Sequence, residues 1–150
     1  MRENPQNPAA QVWSAAHIAM ARVLPSLIPM DHPRILLVED DRLVRMNLVL
    51  VLERDGYRLD TAACAAEAYD RLGRGHYDLV LADIGLPDSD GFDVLRAVKR
   101  ADPSTKVVLV TGSQTDLTAE QAIGEGAEDL LLKPFALADL MATVHRYTRA

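Results

Sequence analysis

The sequence predicts an α/β fold in which a parallel sheet is covered by helices on both faces. Two observations carry that prediction. From Arg34 onward, short apolar runs alternate with longer segments of helical character, five times over. Three of those runs, 35–38 (ILLV), 78–82 (DLVLA) and 106–110 (KVVLV), are apolar almost throughout, which suits strands buried on both sides. Right-handed crossovers then leave few ways to wind the units together.

Each element has its own signal. The first strand, 35–38, is followed by a helix over 41–55 (DRLVRMNLVLVLERD), with Asp41 as its N-cap and Gly56 placed to stop it. Residues 57–61 (YRLDT) alternate like a strand nearer an edge. The alanine-rich stretch 64–72 reads as a helix ended by Gly73 and Gly75, with Cys64 as a small apolar residue within it. After the strand at 78–82, Phe92, Leu95 and Val98 recur at three-residue spacing in a helix over 91–101. The strand at 106–110 precedes a weak helix over 115–124, short of large apolar residues, and 129–132 (DLLL) form a last strand. Leu137, Leu140, Met141, Val144 and Thr148 then make one stripe of an amphipathic helix over 137–148.

Residues 1–33 read as an N-terminal extension, flexible or a short helix, and 34–150 as the domain. The first eleven residues are polar and Pro-rich, 12–24 suit a short helix, and Pro25, Pro29 and Pro33 then break the chain. A secretory signal is disfavoured because His17 and Arg22 interrupt the apolar stretch and no small-residue cleavage site follows. The net charge of −6, without any cluster of Lys and Arg, argues against nucleic acid as a partner. No apolar run is long enough to cross a bilayer, so no membrane association is expected. The single cysteine, Cys64, excludes an internal disulfide and a multi-cysteine metal site and fits the cytoplasm. His17, His32, His76 and His145 share no spacing and read as surface or packing residues.

In open parallel sheets, ligands bind beyond the carboxyl ends of the strands. The first strand ends in Glu39, Asp40 and Asp41, the third in Asp83, the fourth in Thr111 and Gly112, the fifth in Lys133 and Pro134, and the second in nothing reactive. Alone, each has a plain reading as a cap, a turn residue or a solvated loop residue. If the first and third strands are neighbours, Glu39, Asp40 and Asp83 converge, and their charges raise one another's pKa. Lys133 or a hard divalent cation could compensate. Mg²⁺ suits carboxylates plus a backbone carbonyl, whereas the absence of Cys and His from the set argues against zinc. A carboxylate can attack a phosphoryl group to form an acyl phosphate, with metal and lysine neutralising charge and a hydroxyl donating a hydrogen bond. A base for activating water is less evident.

The stretches "ILLVEDD", "DLVLADIGLPDSDGFDVLR", "KVVLVTG" and "GAEDLLLKPF" resemble the receiver domain of bacterial response regulators, over about Arg34 to Arg149. The resemblance implies a flavodoxin-like five-stranded parallel sheet of order 2-1-3-4-5. It implies that Asp83 accepts a phosphoryl group, that Glu39 and Asp40 hold Mg²⁺ together with Asp83 and the Gly85 carbonyl, that Thr111 is the switch hydroxyl, and that Lys133 is the family's lysine, followed by a cis bond to Pro134. It implies a signalling protein of a two-component or phosphorelay system rather than an enzyme, with at most self-phosphorylation from a donor and slow self-dephosphorylation. Its partners would be a histidine kinase or histidine phosphotransfer protein and a downstream protein target, sensed through the helix at 115–124 and the last helix; the protein would be a monomer or weak dimer.

Leu130 stands where the family usually has Tyr, Phe or His, Ala136 where it has a Ser or Thr cap, and the N-terminal extension has no counterpart. "MDHPRILLVEDD" from Met30 looks like an ordinary receiver start, so residues 1–29 are expected to be untranslated or peripheral to the fold. Only Ala150 follows Arg149, so a stand-alone receiver without output domain is expected. Two rival classes compete with this reading. A binding scaffold that keeps the fold without phosphate switching is favoured by Leu130 and opposed by the acidic set, Thr111 and Lys133. An α/β hydrolase or nucleotide-binding enzyme is opposed by the lack of a Gly-rich phosphate loop and of a Ser–His–Asp arrangement.

Overall fold

The computed structural model describes residues 32–112 and 119–149. The short helix expected at 12–24, the role of residues 1–29 and the start of the helix at 115–124 lie outside the described residues. The elements are β1 (Arg34–Val38), α1 (Arg42–Arg54), β2 (Arg58–Ala62), α2 (Ala65–Leu72), β3 (Leu79–Asp83), α3 (Gly91–Ala101), β4 (Lys106–Gly112), α4 (Ala119–Gly124), β5 (Asp129–Lys133) and α5 (Leu137–Thr148). All strand pairs are parallel, in the order β2-β1-β3-β4-β5.

The continuous apolar runs are explained by two core layers. Along β1, Leu36 and Val38 pack with Ala68 of α2, Val94 of α3 and Ala122 of α4. Ile35 and Leu37 point the other way, to Leu52 of α1 and to Leu140 and Val144 of α5. Strand side chains alternate between faces, so a strand covered on both faces must be apolar at every position. The strand order reverses between β1 and β3, which opens a crevice at their carboxyl ends.

Several boundaries shift by a residue or two from the sequence reading, each for a local reason. Tyr57 does not join β2: its N–H bonds to Leu52 O (3.1 Å) and that of Gly56 to Glu53 O (3.0 Å), closing α1. Gly56 takes φ 96°, the left-handed turn that this closure requires. Cys64 is not inside α2 but precedes it in extended conformation, at φ −155° and ψ 170°. Asp83 belongs to β3 because it pairs with Val110, and β4 runs on through Thr111 and Gly112 because these pair with Leu132 and Lys133 of β5.

The N-termini of α1 and α5 follow the sequence. Asp41 accepts from the N–H groups of Leu43 (2.9 Å) and Val44 (3.1 Å) at the start of α1. Ala136, at the N-cap of α5, supplies no side-chain cap. His145 of α5 pairs with Asp55, and His76 bonds Asp102 at 2.9 Å, so both act in surface ion pairs when protonated. Among the described residues, no helix is long and apolar enough to cross a membrane.

Candidate functional site

The crevice between β1 and β3 holds the charged set. Glu39 continues directly from β1, and its N–H bonds to Ala62 O at 3.0 Å, which fixes its backbone to the neighbouring strand. Its side chain is buried, whereas Asp40, one residue on, is exposed. Asp83 closes β3 and Lys133 closes β5. Carboxylate oxygens of Glu39, Asp40 and Asp83 lie within 4.8 Å of one another. Lys133 Nζ donates to Glu39 Oε1 at 2.5 Å and to Asp83 Oδ2 at 2.7 Å.

Burial decides the electrostatics of this cluster. It pushes the Glu39 carboxyl up to about 7, against the bond from Lys133 and with a smaller push from Asp83. The sequence reading attributed such a shift to mutual repulsion; for Glu39 the loss of water outweighs it. Burial also opposes the charge on Lys133, but the Asp83 and Glu39 carboxylates more than offset it and hold its pKa above the usual value. Lys133 is therefore a fixed positive charge.

One ammonium faces three carboxylates, and Glu39 Oε2 is buried without a hydrogen-bond partner among the described residues. A buried carboxylate oxygen without a partner is costly. Oxygen ligands, excess negative charge and an unpaired buried acceptor together fit a hard divalent cation such as Mg²⁺.

Gly85 lies in the loop after β3, its N–H donating to Asp83 Oδ1 at 3.0 Å and its backbone bridging antiparallel to Asp90. The loop folds back so tightly that a Cβ at Gly91 would meet Asp83 O at 2.7 Å and Ile84 Cα at 2.9 Å. Thr111 is buried at the end of β4, one residue beyond Val110, the partner of Asp83. By alternation Thr111 is on the α2–α4 side of the sheet, whereas Asp83 and Glu39 share the α1–α5 side with Leu81 and Leu37. The Lys133–Pro134 bond is cis. The structure thus gathers Glu39, Asp40, Asp83 and Lys133 into one cluster, with Gly85 and Thr111 on the adjoining loop and strand end.

Sequence reasoning missed Arg45. From the first turn of α1 its guanidinium donates to Glu39 O at 2.7 Å and to Asp40 O at 3.3 Å, holding the segment that carries both acids. It also missed Asp88, whose carboxylate bonds to α2. Neither has a local pattern, because each acts on backbone outside its own element.

The family described as the response regulator receiver domain matches residues 35–145. The chain belongs to the receiver family. This receiver is 38% identical over 116 residues to the transcriptional regulatory protein PmrA of Pectobacterium parmentieri, covering 77% of this chain and 52% of PmrA. The chain spans about half the length of the curated relatives it matches. Among solved structures, a putative response regulator from Chloroflexus aurantiacus J-10-fl superposes with a TM-score of 0.72 at 27% identity, covering 79% of this chain and 98% of that chain. The receiver domain of the sensor histidine kinase PA1611 from Pseudomonas aeruginosa PAO1, solved with a magnesium ion coordinated in its active site cleft, gives 0.69 at 28% identity, with coverage of 79% and 98%.

Proposed function

We propose that this receiver accepts a phosphoryl group on Asp83 from a phosphohistidine of a histidine kinase or histidine phosphotransfer protein in the cytoplasm. It signals to a downstream protein by docking or by onward transfer. The observation that carries this reading is the Lys133 ammonium shared between Asp83 and Glu39, beside the unpaired Glu39 Oε2. Glu39, Asp40, Asp83 and the Gly85 carbonyl are the groups that would hold Mg²⁺. When bound, Mg²⁺ neutralises charge on the transferring phosphoryl oxygens.

The remaining chemistry belongs to the chain. An Asp83 carboxylate oxygen attacks phosphorus, the bond from phosphorus to the histidine nitrogen breaks, and the imidazole leaves with the electron pair and takes up a proton. Lys133 stays charged beside the new acyl phosphate, and the Thr111 hydroxyl, which lies toward the other face of the sheet, would turn toward the site to donate to a phosphoryl oxygen. The test is intact-mass measurement after treatment with acetyl phosphate. One added phosphoryl group is expected with Mg²⁺ and none with a chelator. A folded protein that gains no mass in Mg²⁺ contradicts the reading.

Leu130 bears on how far the signal travels. It is half-buried, pairs with Leu109 of β4 and packs against the α2–α4 core. Leucine has no aromatic ring and no polar tip with which to exchange an outward for an inward position as Thr111 moves. We infer that phosphorylation moves the α4 surface less than in a receiver with an aromatic residue there. Backbone amide shifts with and without beryllofluoride, in the natural protein and in Leu130→Tyr, measure this. The tyrosine variant should show the larger change along 119–130. A large concerted change already present in the natural protein, with nothing added by tyrosine, would remove Leu130 from the argument.

A further inference from the structure

Helix α2 lacks a cap of its own. Its first residue, Ala65, follows Cys64, whose side chain makes no cap bond. The cap comes instead from the loop after β3. Asp88 accepts from Ala65 N at 2.8 Å through Oδ1 and from Ala66 N at 3.0 Å through Oδ2. A carboxylate at a helix N-terminus satisfies donors that the helix itself leaves open, and the helix dipole favours its charge. The carboxyl of Asp88 is held below the usual range by the N–H groups of Ala66 and Ala65, the behaviour of an acid that is bonded in its charged form.

The same loop serves the site. Its base is held by the bridge between Gly85 and Asp90, by the bond from Gly91 N to Ile84 O at 3.0 Å, and by the close approach at Gly91. Those ties fix the two ends of the loop. The tip, at Asp88, is tied by the bonds to α2. Gly85, at the base, bonds Asp83 through its N–H, and Leu86 and Pro87 carry the chain from it to the tip.

We propose that Asp88 is a positioning residue for the metal site: by docking the loop tip on the N-terminus of α2, it fixes the loop that carries Gly85. The proposal rests on the reading of Gly85 as a metal ligand given above. It also makes α2 a support for the phosphoacceptor loop. Groups that orient a ligand from outside the metal's own shell change affinity by roughly 10–100-fold when removed. Asp88 acts through backbone, so the low end of that range is expected.

The experiment separates loop positioning from helix capping. Asp88→Ala removes both. Adding Cys64→Ser restores a cap to α2 from its own N-cap position, where serine is favoured, without reconnecting the loop. Mg²⁺ affinity is measured by calorimetric titration of the full chain, thermal midpoint by melting, and loop order by amide hydrogen exchange at Gly85, Leu86 and Gly91. Asp88→Ala should weaken Mg²⁺ binding on the order of tenfold, lower the midpoint, and speed exchange at the loop amides. Adding Cys64→Ser should return the midpoint and leave both Mg²⁺ affinity and loop exchange in the altered state. Unchanged affinity and loop exchange in Asp88→Ala overturn the proposal, as does their full recovery with Cys64→Ser. If the natural protein binds no Mg²⁺, the reading of the site fails, and loop exchange alone still decides whether Asp88 holds the loop.

Discussion

Asp83→Asn should abolish phosphoryl labelling while leaving the fold intact. Three carboxylates share the site, so the choice among them needs a reason. Glu39 touches Lys133, but its side chain is only 3% exposed and a phosphorus atom cannot reach it in line. Asp40 is exposed but has no bond to Lys133 among the described contacts. Asp83 alone combines the Lys133 contact with an opening to solvent, at 13% side-chain exposure. Asparagine keeps an oxygen for the Gly85 N–H but cannot form an acyl phosphate, and its amide would meet the Lys133 ammonium donor to donor. Intact mass after acetyl phosphate and Mg²⁺ should show no addition in this variant. Its melting midpoint in chelator should stay near that of the natural protein, because the relief of one crowded negative charge is offset by the lost Lys133 bond. Labelling at the natural level would transfer the acceptor role to Asp40.

The parts of this site that were legible in the sequence are those that sit at strand ends. A strand buried on both faces leaves a continuous apolar signature, and the first charged residue after it is conspicuous for that reason. Glu39, Asp83 and Lys133 stand out after ILLV, DLVLA and DLLL by this logic, and the parallel order brings them together. The electrostatic balance was legible only in sign. Which acid is most perturbed depends on burial, and adjacent Glu39 and Asp40 differ completely in that respect. The supports were not legible. Arg45 and Asp88 act by side chain to backbone across 6 and 23 residues, and such bonds leave no period or composition to read. Cys64 illustrates the same gap: an alanine-rich stretch suggested a helix interior, but the helix begins after it because its cap arrives from another loop.

Lys133→Ala should destabilise the protein most where Glu39 is ionised. In the natural protein Lys133 is the partner of Glu39 Oε1, while Oε2 has none. Removing the ammonium leaves a buried carboxylate with no compensation, a change of about 3–5 kcal/mol when both partners are deeply buried. Lys133 is 29% exposed, so water can replace part of it, and a loss of about 1–3 kcal/mol is expected.

The pH dependence gives the sharper check. Glu39 is raised from its ordinary 4.5 to about 7 in the folded protein, so between those values the folded state binds the proton more tightly than the unfolded chain. Stability from that proton is present at acid pH and lost as pH rises through about 7. Lys133 lowers the Glu39 pKa, so its removal pushes that value higher still and enlarges the penalty on the alkaline side. Urea unfolding in chelator should therefore show a larger loss at pH 8 than at pH 5.5, and Mg²⁺ should recover part of it at pH 8. Adding Glu39→Gln to Lys133→Ala removes the stranded charge and should restore most of the stability at pH 8. If the double variant is as unstable as Lys133→Ala, and the loss is the same at both pH values, then Lys133 supports the turn into Pro134 rather than the charge on Glu39.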